Sequence, residues 1–129
     1  MIVLDASAAV ELVLATPPGA AVAQRLRSET VHTPAHFDVE VIGAVRRAVV
    51  RQLISDHEGL VAVADLQSLP LRRWPIKPFV QRAYQLRSTY AVADGVYVAL
   101  AEGLAAPLIT CDGRLAHSHG HRAEIELIA

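Results

Sequence analysis

Two apolar runs near opposite ends of the chain each stop at an aspartate. Met1–Leu4 leads to Asp5, and Pro107–Cys111 leads to Asp112; small residues follow each aspartate. Runs of this length and composition are typical of buried parallel strands. Open α/β sheets bind ligands just beyond the carboxyl ends of their strands, so the two carboxylates are predicted to share one acidic crevice. Each aspartate is also a good candidate for the N-cap of a following helix.

Two further acids lie on predicted helices. Glu40 lies at the edge of the apolar stripe of a helix that is apolar on nearly all sides, where an unpaired carboxylate is costly. An ion pair with Arg47 or with a neighbouring residue is an alternative explanation. Asp94 lies in the first turn of an alanine-rich helix, where an acid also favours the helix dipole. Asp38, on the other edge of the helix that carries Glu40, is predicted to be a solvated or capping acid. Glu102, two turns after Asp94, is predicted to lie on the surface.

Four converging carboxylates without a Cys and His ligand cluster favour Mg²⁺ or Mn²⁺ over Zn²⁺. Such a cation relieves repulsion among the acids, lowers the pKa of bound water and stabilises charge on a phosphodiester. Asp5, Asp94 and Asp112 are predicted to be the main ligands. Glu40 is predicted to bind a second metal or to orient the nucleophile. The sequence leaves the number of ions open.

Two hydroxyl residues are predicted to support these acids. Strand alternation places Thr110 on the same side as Asp112, and Ser7 follows Asp5 by two residues. A competing metal site is the histidine cluster around Ser118, and we interpret that cluster as a polar loop because it lacks a fourth ligand. Its members are His117, His119 and His121.

The elements that would position the acids alternate between short strands and helices. The predicted strands are Ile2–Asp5, Thr30–Thr33, Leu69–Trp74, Pro107–Cys111 and Glu124–Ile128. The predicted helices are Ala8–Ala15 capped by Ser7, a second that follows Pro17-Pro18-Gly19 and ends near Arg27, Ala35–Gln52 with Pro34 at its start, Ser55–Asp65 with Ser55 as N-cap, Lys77–Ser88, Val92–Leu104 and Gly113–His117. This alternation predicts an α/β fold with a parallel sheet and helices on both faces.

Composition limits the class of protein. The 129 residues are enough for one domain with a sizeable core, and 53% of them are apolar, which argues against disorder. We expect no signal peptide and no transmembrane helix, because no basic leader and no long uncharged stretch is present. The single cysteine, Cys111, excludes an internal disulfide and fits a reducing compartment, so the predicted location is cytoplasmic.

Four segments, taken together, resemble the PIN domain, and more narrowly the toxin ribonucleases of the VapBC toxin–antitoxin type. These segments are Ile2–Ala8, Phe37–Arg47, Leu69–Pro75, and Ala93–Glu102 leading into Pro107–Asp112. They cover almost the whole chain in the expected order, although no one motif is specific by itself. Family members often have alanine directly after the third acid, where this chain has Gly95, and we do not expect this difference to remove the site.

The resemblance implies a three-layer α/β/α sandwich with about five parallel strands, forming a single domain over residues 1–129. It implies a metal-dependent endoribonuclease in which Asp5, Glu40, Asp94 and Asp112 surround one or two Mg²⁺ or Mn²⁺ ions. It also implies a homodimer and a small antitoxin partner whose C-terminal tail covers the active site. Two predicted helices, Phe37–Val50 and Val96–Leu104, carry more apolar surface than one core face needs, which a dimer, an antitoxin or a deeper monomer core would cover.

Basic residues are candidates for RNA contacts. Eleven of the twelve are arginine, which suits bidentate phosphate binding, although a GC-rich genome explains the same bias. The net charge is −1, and a near-neutral total is compatible with an acidic crevice beside a basic rim. Each candidate is equally well explained as a solvated or ion-paired arginine. The candidates are Arg46, Arg47, Arg72 and Arg73.

Three other functions compete with this interpretation. A catalytically silent PIN-like module would bind RNA or a protein without cutting. A phosphoacceptor receiver domain needs paired acids near the first strand and a lysine after a late strand, whereas Asp5 has no acidic neighbour and the only lysine is Lys77. A cofactor-binding α/β domain needs a glycine-rich loop after the first strand, and the sequence there is Asp5-Ala6-Ser7-Ala8.

Overall fold

A five-stranded parallel sheet forms the centre of the protein. The computed structural model describes residues 1–129. The strands are β1 (Ile2–Leu4), β2 (Val31–Pro34), β3 (Leu71–Trp74), β4 (Leu108–Thr110) and β5 (Ile125–Leu127). Their spatial order is β3-β2-β1-β4-β5, and all neighbouring pairs are parallel. The chain therefore adds β2 and β3 on one side of β1, and then adds β4 and β5 on the other side.

Seven α-helices connect the strands. They are α1 (Ala6–Val13), α2 (Pro17–Leu26), α3 (Phe37–Val50), α4 (Asp56–Ser68), α5 (Val80–Gln85), α6 (Val92–Leu104) and α7 (Gly113–Ala116), and a single 3₁₀ turn, Lys77–Phe79, precedes α5. Helix α1 packs against α2, α3 and α4, while α5 packs against α6. The predicted α/β architecture with a five-stranded parallel sheet is confirmed.

The core explains why the central strands have no alternating pattern. Ile2, Val3 and Leu4 of β1, and Leu108 and Ile109 of β4, are all fully buried. Both faces of these two strands are covered by helices, so each position is apolar. The same burial fixes the register, in which Val3 pairs with Leu108 and Leu4 pairs with Ile109.

Two local predictions are wrong, and a tertiary contact explains each. Pro34 does not start a helix: it ends β2 opposite Trp74, and the N–H of Ala35 supplies the next hydrogen bond to the Trp74 carbonyl. Proline has no N–H, but it is acceptable there because the N–H that bonds to the Trp74 carbonyl belongs to Ala35. Ser7 does not cap α1, which begins at Ala6 with Asp5 at the N-cap position.

Other boundaries move by a few residues. Helix α2 begins at Pro17, which the prediction placed in a break, and Thr16 caps it by accepting a hydrogen bond from the Gly19 N–H. Ser55 is the N-cap of α4, as predicted, and forms a capping box with Glu58. Helix α6 has the predicted bounds. None of the helices combines the length and the apolar character that a membrane span requires. Only α1 and α2 taken together would reach that length, and they are bent by 111° relative to each other.

Candidate active site

All four predicted acids line one crevice at the carboxyl ends of β1 and β4. The crevice has a volume of about 360 Å³. Its lining residues are Asp5, Ala6, Ser7, Val10, Glu11, Glu40, Ala44, Arg47, Asp94 and Asp112. The strand order reverses at this point, since β2 lies on one side of β1 and β4 on the other. Open parallel sheets bind their ligands at such reversals.

Asp5 is the most deeply buried of the four acids, with 5% of its surface exposed. Its Oδ2 accepts hydrogen bonds from the Ser7 hydroxyl at 2.5 Å and the Thr110 hydroxyl at 2.8 Å. Asp5 occupies the N-cap position of α1, but its side chain makes no capping hydrogen bond. Burial raises the pKa of Asp5, the two hydroxyls oppose that rise, and the charge of Glu40 adds to it.

The two hydroxyls also connect the first strand to the fourth. Ser7 Oγ accepts from the N–H of Cys111 at 3.0 Å, and Thr110 Oγ1 accepts from the N–H of Asp112 at 3.0 Å. Each hydroxyl therefore donates to the Asp5 carboxylate and accepts from the backbone that leads to Asp112. Local sequence could suggest a cap for Ser7, but only the pairing of β1 with β4 brings Thr110 to Asp5.

Asp94 lies in the first turn of α6, is half-buried and forms no hydrogen bond or ion pair. Burial raises the pKa of Asp94, and the charges of Asp5, Glu40 and Asp112 raise it further. Its neighbour Gly95 is buried against α5, where a Cβ would lie 3.2 Å from the carbonyl oxygen of Ala83. This close approach gives a packing reason for glycine after the third acid.

Asp112 performs the predicted local role and faces the crevice as well. Its Oδ1 accepts from the N–H of Arg114 at 2.9 Å, which caps α7. The Arg114 side chain is almost fully exposed and lies 3.7 Å from the same oxygen. Capping and lining the crevice are therefore compatible for Asp112, because the cap uses only one carboxylate oxygen.

Glu40 is less buried than the sequence pattern predicts, with 33% of its side chain exposed. The Tyr97 hydroxyl donates to Glu40 Oε1 at 2.7 Å, and His36 Nε2 lies 3.4 Å from the same oxygen. The alternative pairing with Arg47 is not formed. The sequence pattern did not identify Tyr97 and His36 as site residues. Only the presence of one tyrosine among the small aliphatic residues of α6 could have pointed to Tyr97.

The donor set fits a hard divalent cation. The four predicted acids and Glu11 share the crevice, and no thiol or imidazole ligand cluster accompanies them. Burial, together with repulsion from neighbouring acids, raises the pKa values of Asp5 and Asp94. In this conformation no three Asp, Glu, His or Cys side chains lie at the spacing of a completed metal site. The predicted histidine loop is found between α7 and β5 and likewise forms no metal cluster.

The four candidate RNA-binding arginines differ in their surroundings. Arg47 lines the acidic crevice, and Arg46 beside it is exposed. Arg73 instead forms a bidentate ion pair with Asp38, at 2.6 and 2.8 Å. The prediction of a solvated or capping Asp38 is therefore wrong. The Arg72 guanidinium lies 4.9 Å from the centre of the Trp74 ring. Of the four, only Arg47 is placed at the acids.

A larger cavity, of about 630 Å³, lies elsewhere on the protein. Its main charged groups neutralise each other, since Arg82 forms a bidentate pair with Glu102 at 2.7 and 3.0 Å. Glu102 also accepts from the N–H of Arg122, and only 6% of its side chain is exposed, so it is not the surface acid that the sequence predicts. The smaller acidic crevice is therefore the better candidate, because its acids outnumber its one basic residue, Arg47.

Comparison with known proteins shows the family of this chain. The family model described as "PIN domain" matches residues 2–119, and the chain belongs to that family. Within it, Ribonuclease VapC12 of Mycobacterium tuberculosis is 81% identical over 129 residues, which is all of both chains. Ribonuclease VapC1 of the same organism is 37% identical over 128 residues, covering 98% of this chain and 96% of the relative.

Solved structures share the fold at much lower identity. VapC20 from Mycobacterium tuberculosis, described as a toxin that cleaves the sarcin-ricin loop, superposes with a TM-score of 0.67 at 16% identity, over 90% of this chain and 93% of the other. FitAcB from Neisseria gonorrhoeae gives a TM-score of 0.66 at 22% identity, over 97% and 96%. These likenesses support the three-layer α/β/α arrangement.

Proposed function

We propose that this protein is a metal-dependent endoribonuclease and the toxin of a type II toxin–antitoxin pair. The observation that carries the proposal is the meeting of Asp5, Glu40, Asp94 and Asp112 in one crevice at the strand reversal. Four acids gathered at one site, with Arg47 as the one basic residue in the lining, suit a divalent ion and a phosphodiester substrate. The name ribonuclease, carried by a relative 81% identical over its full length, supports RNA as that substrate.

The site residues divide into metal ligands and supporting groups. Asp5, Asp94 and Asp112 hold Mg²⁺ or Mn²⁺, directly or through water, and Glu40 binds a second ion or orients the attacking water. The ion, when bound, lowers the pKa of water and stabilises negative charge on the phosphate. Hydrolysis by in-line attack of water leaves a 5′-phosphate and a 3′-hydroxyl.

Ser7 and Thr110 support the reaction by holding Asp5. Their hydroxyls both donate to Oδ2 of the Asp5 carboxylate, and no side chain donates a hydrogen bond to Oδ1. The hydrogen bonds also favour the ionised form of Asp5, which the proposed ligand role requires. Both hydroxyls accept from backbone N–H groups as well, so they have little freedom to turn away.

RNA binding is assigned first to Arg47, which lines the crevice beside the acids. Arg46 and Arg72 are exposed and reach the phosphate backbone farther from the cut bond. Arg73 contributes less, because its guanidinium is already paired with Asp38. Phosphate contacts of this kind make RNA binding sensitive to salt.

We also propose that the chain acts as a single domain in the cytoplasm, forms a homodimer and binds a small antitoxin. Several large apolar side chains are exposed on α3, α5 and α6, which gives a partner protein surface to bury. These side chains are Val39, Ile42, Val80, Tyr84 and Val92.

The direct test is cleavage of RNA by purified protein with Mn²⁺ and then with excess EDTA. Cleavage that needs Mn²⁺ and is lost in Asp5→Asn supports the proposal. Asp65→Asn is the matched control, since Asp65 is an exposed aspartate on α4. Retained cleavage in Asp5→Asn would overturn the assignment of the site. RNA binding without cleavage would favour the alternative of a catalytically silent module.

A further inference from the structure

Two side chains from different parts of the fold lie against one oxygen of Glu40. Tyr97 on α6 donates to Oε1 at 2.7 Å, and His36, the residue before α3, places Nε2 at 3.4 Å from the same atom. No hydrogen bond is directed to Oε2. Glu40 is thus restrained through one oxygen, while its other oxygen keeps its lone pairs for a ligand or water.

Tyr97 is suited to this contact and has no other polar partner. The side chain is fully buried, with 0% of its surface exposed. Burial and the Glu40 charge raise the pKa of Tyr97, so the hydroxyl keeps its proton and acts as a donor. A buried hydroxyl that lost this acceptor would be left unsatisfied, so the contact constrains Tyr97 as well as Glu40.

His36 links Glu40 to the segment that carries Asp94. Its Nε2 lies 3.0 Å from the carbonyl oxygen of Ala93, which accepts only, so Nε2 bears the proton and donates it to Ala93 while lying 3.4 Å from Glu40 Oε1. The His36 ring meets the Tyr97 ring edge-on, with 5.1 Å between their centres. Nδ1 of His36 is buried without a partner, so the ring is held by Nε2 and by packing.

We infer that Tyr97 and His36 are positioning residues that fix Glu40 relative to Asp94 for cation binding. The inference rests on the proposed function, since it assigns a task within the same site. Because Nε2 contacts both Glu40 and the residue before Asp94, the pair sets the separation of acids that arrive on α3 and α6. Neither residue contacts the cation or RNA itself.

The test is a double-mutant cycle on Mn²⁺ affinity, measured by calorimetry on the full chain. Tyr97→Phe removes only the hydroxyl and is expected to weaken Mn²⁺ binding by roughly 10- to 100-fold. In a Glu40→Gln background the same change is expected to have no further effect, since Tyr97 acts through the carboxylate. His36→Phe, which keeps the edge-on ring contact, is a second variant with the same expected pattern.

Tyr90→Phe is the matched control, because Tyr90 is also a buried tyrosine but its hydroxyl contacts Ser118. The inference is overturned if Tyr97→Phe and His36→Phe both bind Mn²⁺ as the wild type does. The inference is also overturned if the two substitutions weaken Mn²⁺ binding as much in the Glu40→Gln background as in the wild type, because that result would indicate a general structural effect. Mn²⁺ binding that follows the expected pattern without any RNA cleavage would overturn the proposed function and support the positioning role. A wild type that binds no Mn²⁺ would overturn both.

Discussion

Thr110 donates a hydrogen bond to Asp5 across 105 residues of sequence, with 2.8 Å between its hydroxyl oxygen and the carboxylate Oδ2. Both residues are buried, and they belong to the ends of two adjacent parallel strands. The contact therefore ties the geometry of the candidate active site to the pairing of β1 with β4.

Thr110→Val is expected to lower both stability and Mn²⁺ affinity. The change keeps the shape of the side chain, but leaves Asp5 Oδ2 and the Asp112 N–H each without one partner. Losing hydrogen bonds to a buried carboxylate costs about 1.5–3 kcal/mol. Urea unfolding in EDTA measures the first effect, and Mn²⁺ calorimetry the second. Thr33→Val is the control, because Thr33 is buried on β2 but donates to the Leu4 carbonyl; an equal loss of Mn²⁺ affinity there would contradict the prediction.

Asp94→Asn is expected to abolish Mn²⁺-dependent cleavage and to stabilise the metal-free protein at pH 7. The pKa of Asp94 is raised in the folded state, so its ionised form opposes folding. That penalty is absent at pH values where both folded and unfolded states are protonated, and it develops as pH rises above the unfolded pKa of about 3.9. The free energy of unfolding, measured in EDTA, should therefore decrease for the wild type relative to Asp94→Asn as the pH rises from 4 to 7. A difference that does not change with pH would contradict this explanation.

Replacing Arg47 should affect RNA binding, whereas replacing Arg73 should affect stability. Arg47→Gln removes a charge from the rim of the crevice and is expected to reduce the salt dependence of RNA binding by about one unit of slope. Arg73→Gln breaks the ion pair with Asp38 and is expected to cost about 0.2–1 kcal/mol, because both side chains are partly exposed. Fluorescence titrations at several salt concentrations and urea unfolding distinguish the two. Equal RNA affinities for Arg47→Gln and wild type would remove Arg47 from the proposed interface.

His32 should make the protein less stable in mild acid. It is buried between strands, and its Nδ1 accepts a hydrogen bond from Trp74 Nε1 at 3.0 Å. Burial, followed by the charge of Arg72, lowers the pKa of His32 below its ordinary value of about 6.5. As the pH falls, His32 is protonated in the unfolded state before it is protonated in the folded state. The contribution of His32 to stability, which is present above pH 6.5, is therefore lost as the pH falls below that value.

His32→Gln tests that dependence by unfolding in urea between pH 7.5 and pH 5. The variant should lose less stability than wild type over this range, since it lacks the titrating ring. His57→Gln is the control, because His57 is exposed on α4. If wild type and His32→Gln lose the same free energy, His32 is not the responsible group.

The sequence predicted the acids of the crevice and two supporting hydroxyls, but not the side chains that contact Glu40. Apolar runs and strand ends are local patterns, so Asp5 and Asp112 could be placed at one sheet edge before the structure was known. The sequence pattern could not identify Tyr97 as a partner of Glu40, because the two residues are 57 positions apart in the chain. The cap predicted for Ser7 was wrong for the same reason, since its hydroxyl contacts Thr110 and the Cys111 N–H instead of capping α1.

The strand order also sets when the crevice can form during synthesis. A chain leaving the ribosome presents Asp5 and Glu40 early, and β1 can pair with β2 as soon as both are outside. Asp112 and the hydroxyl of Thr110 arrive only with β4, after more than a hundred residues have been translated. A nascent chain therefore lacks the complete set of four acids during most of its translation. The ribosome that makes the chain does not meet a complete active site on it during that time.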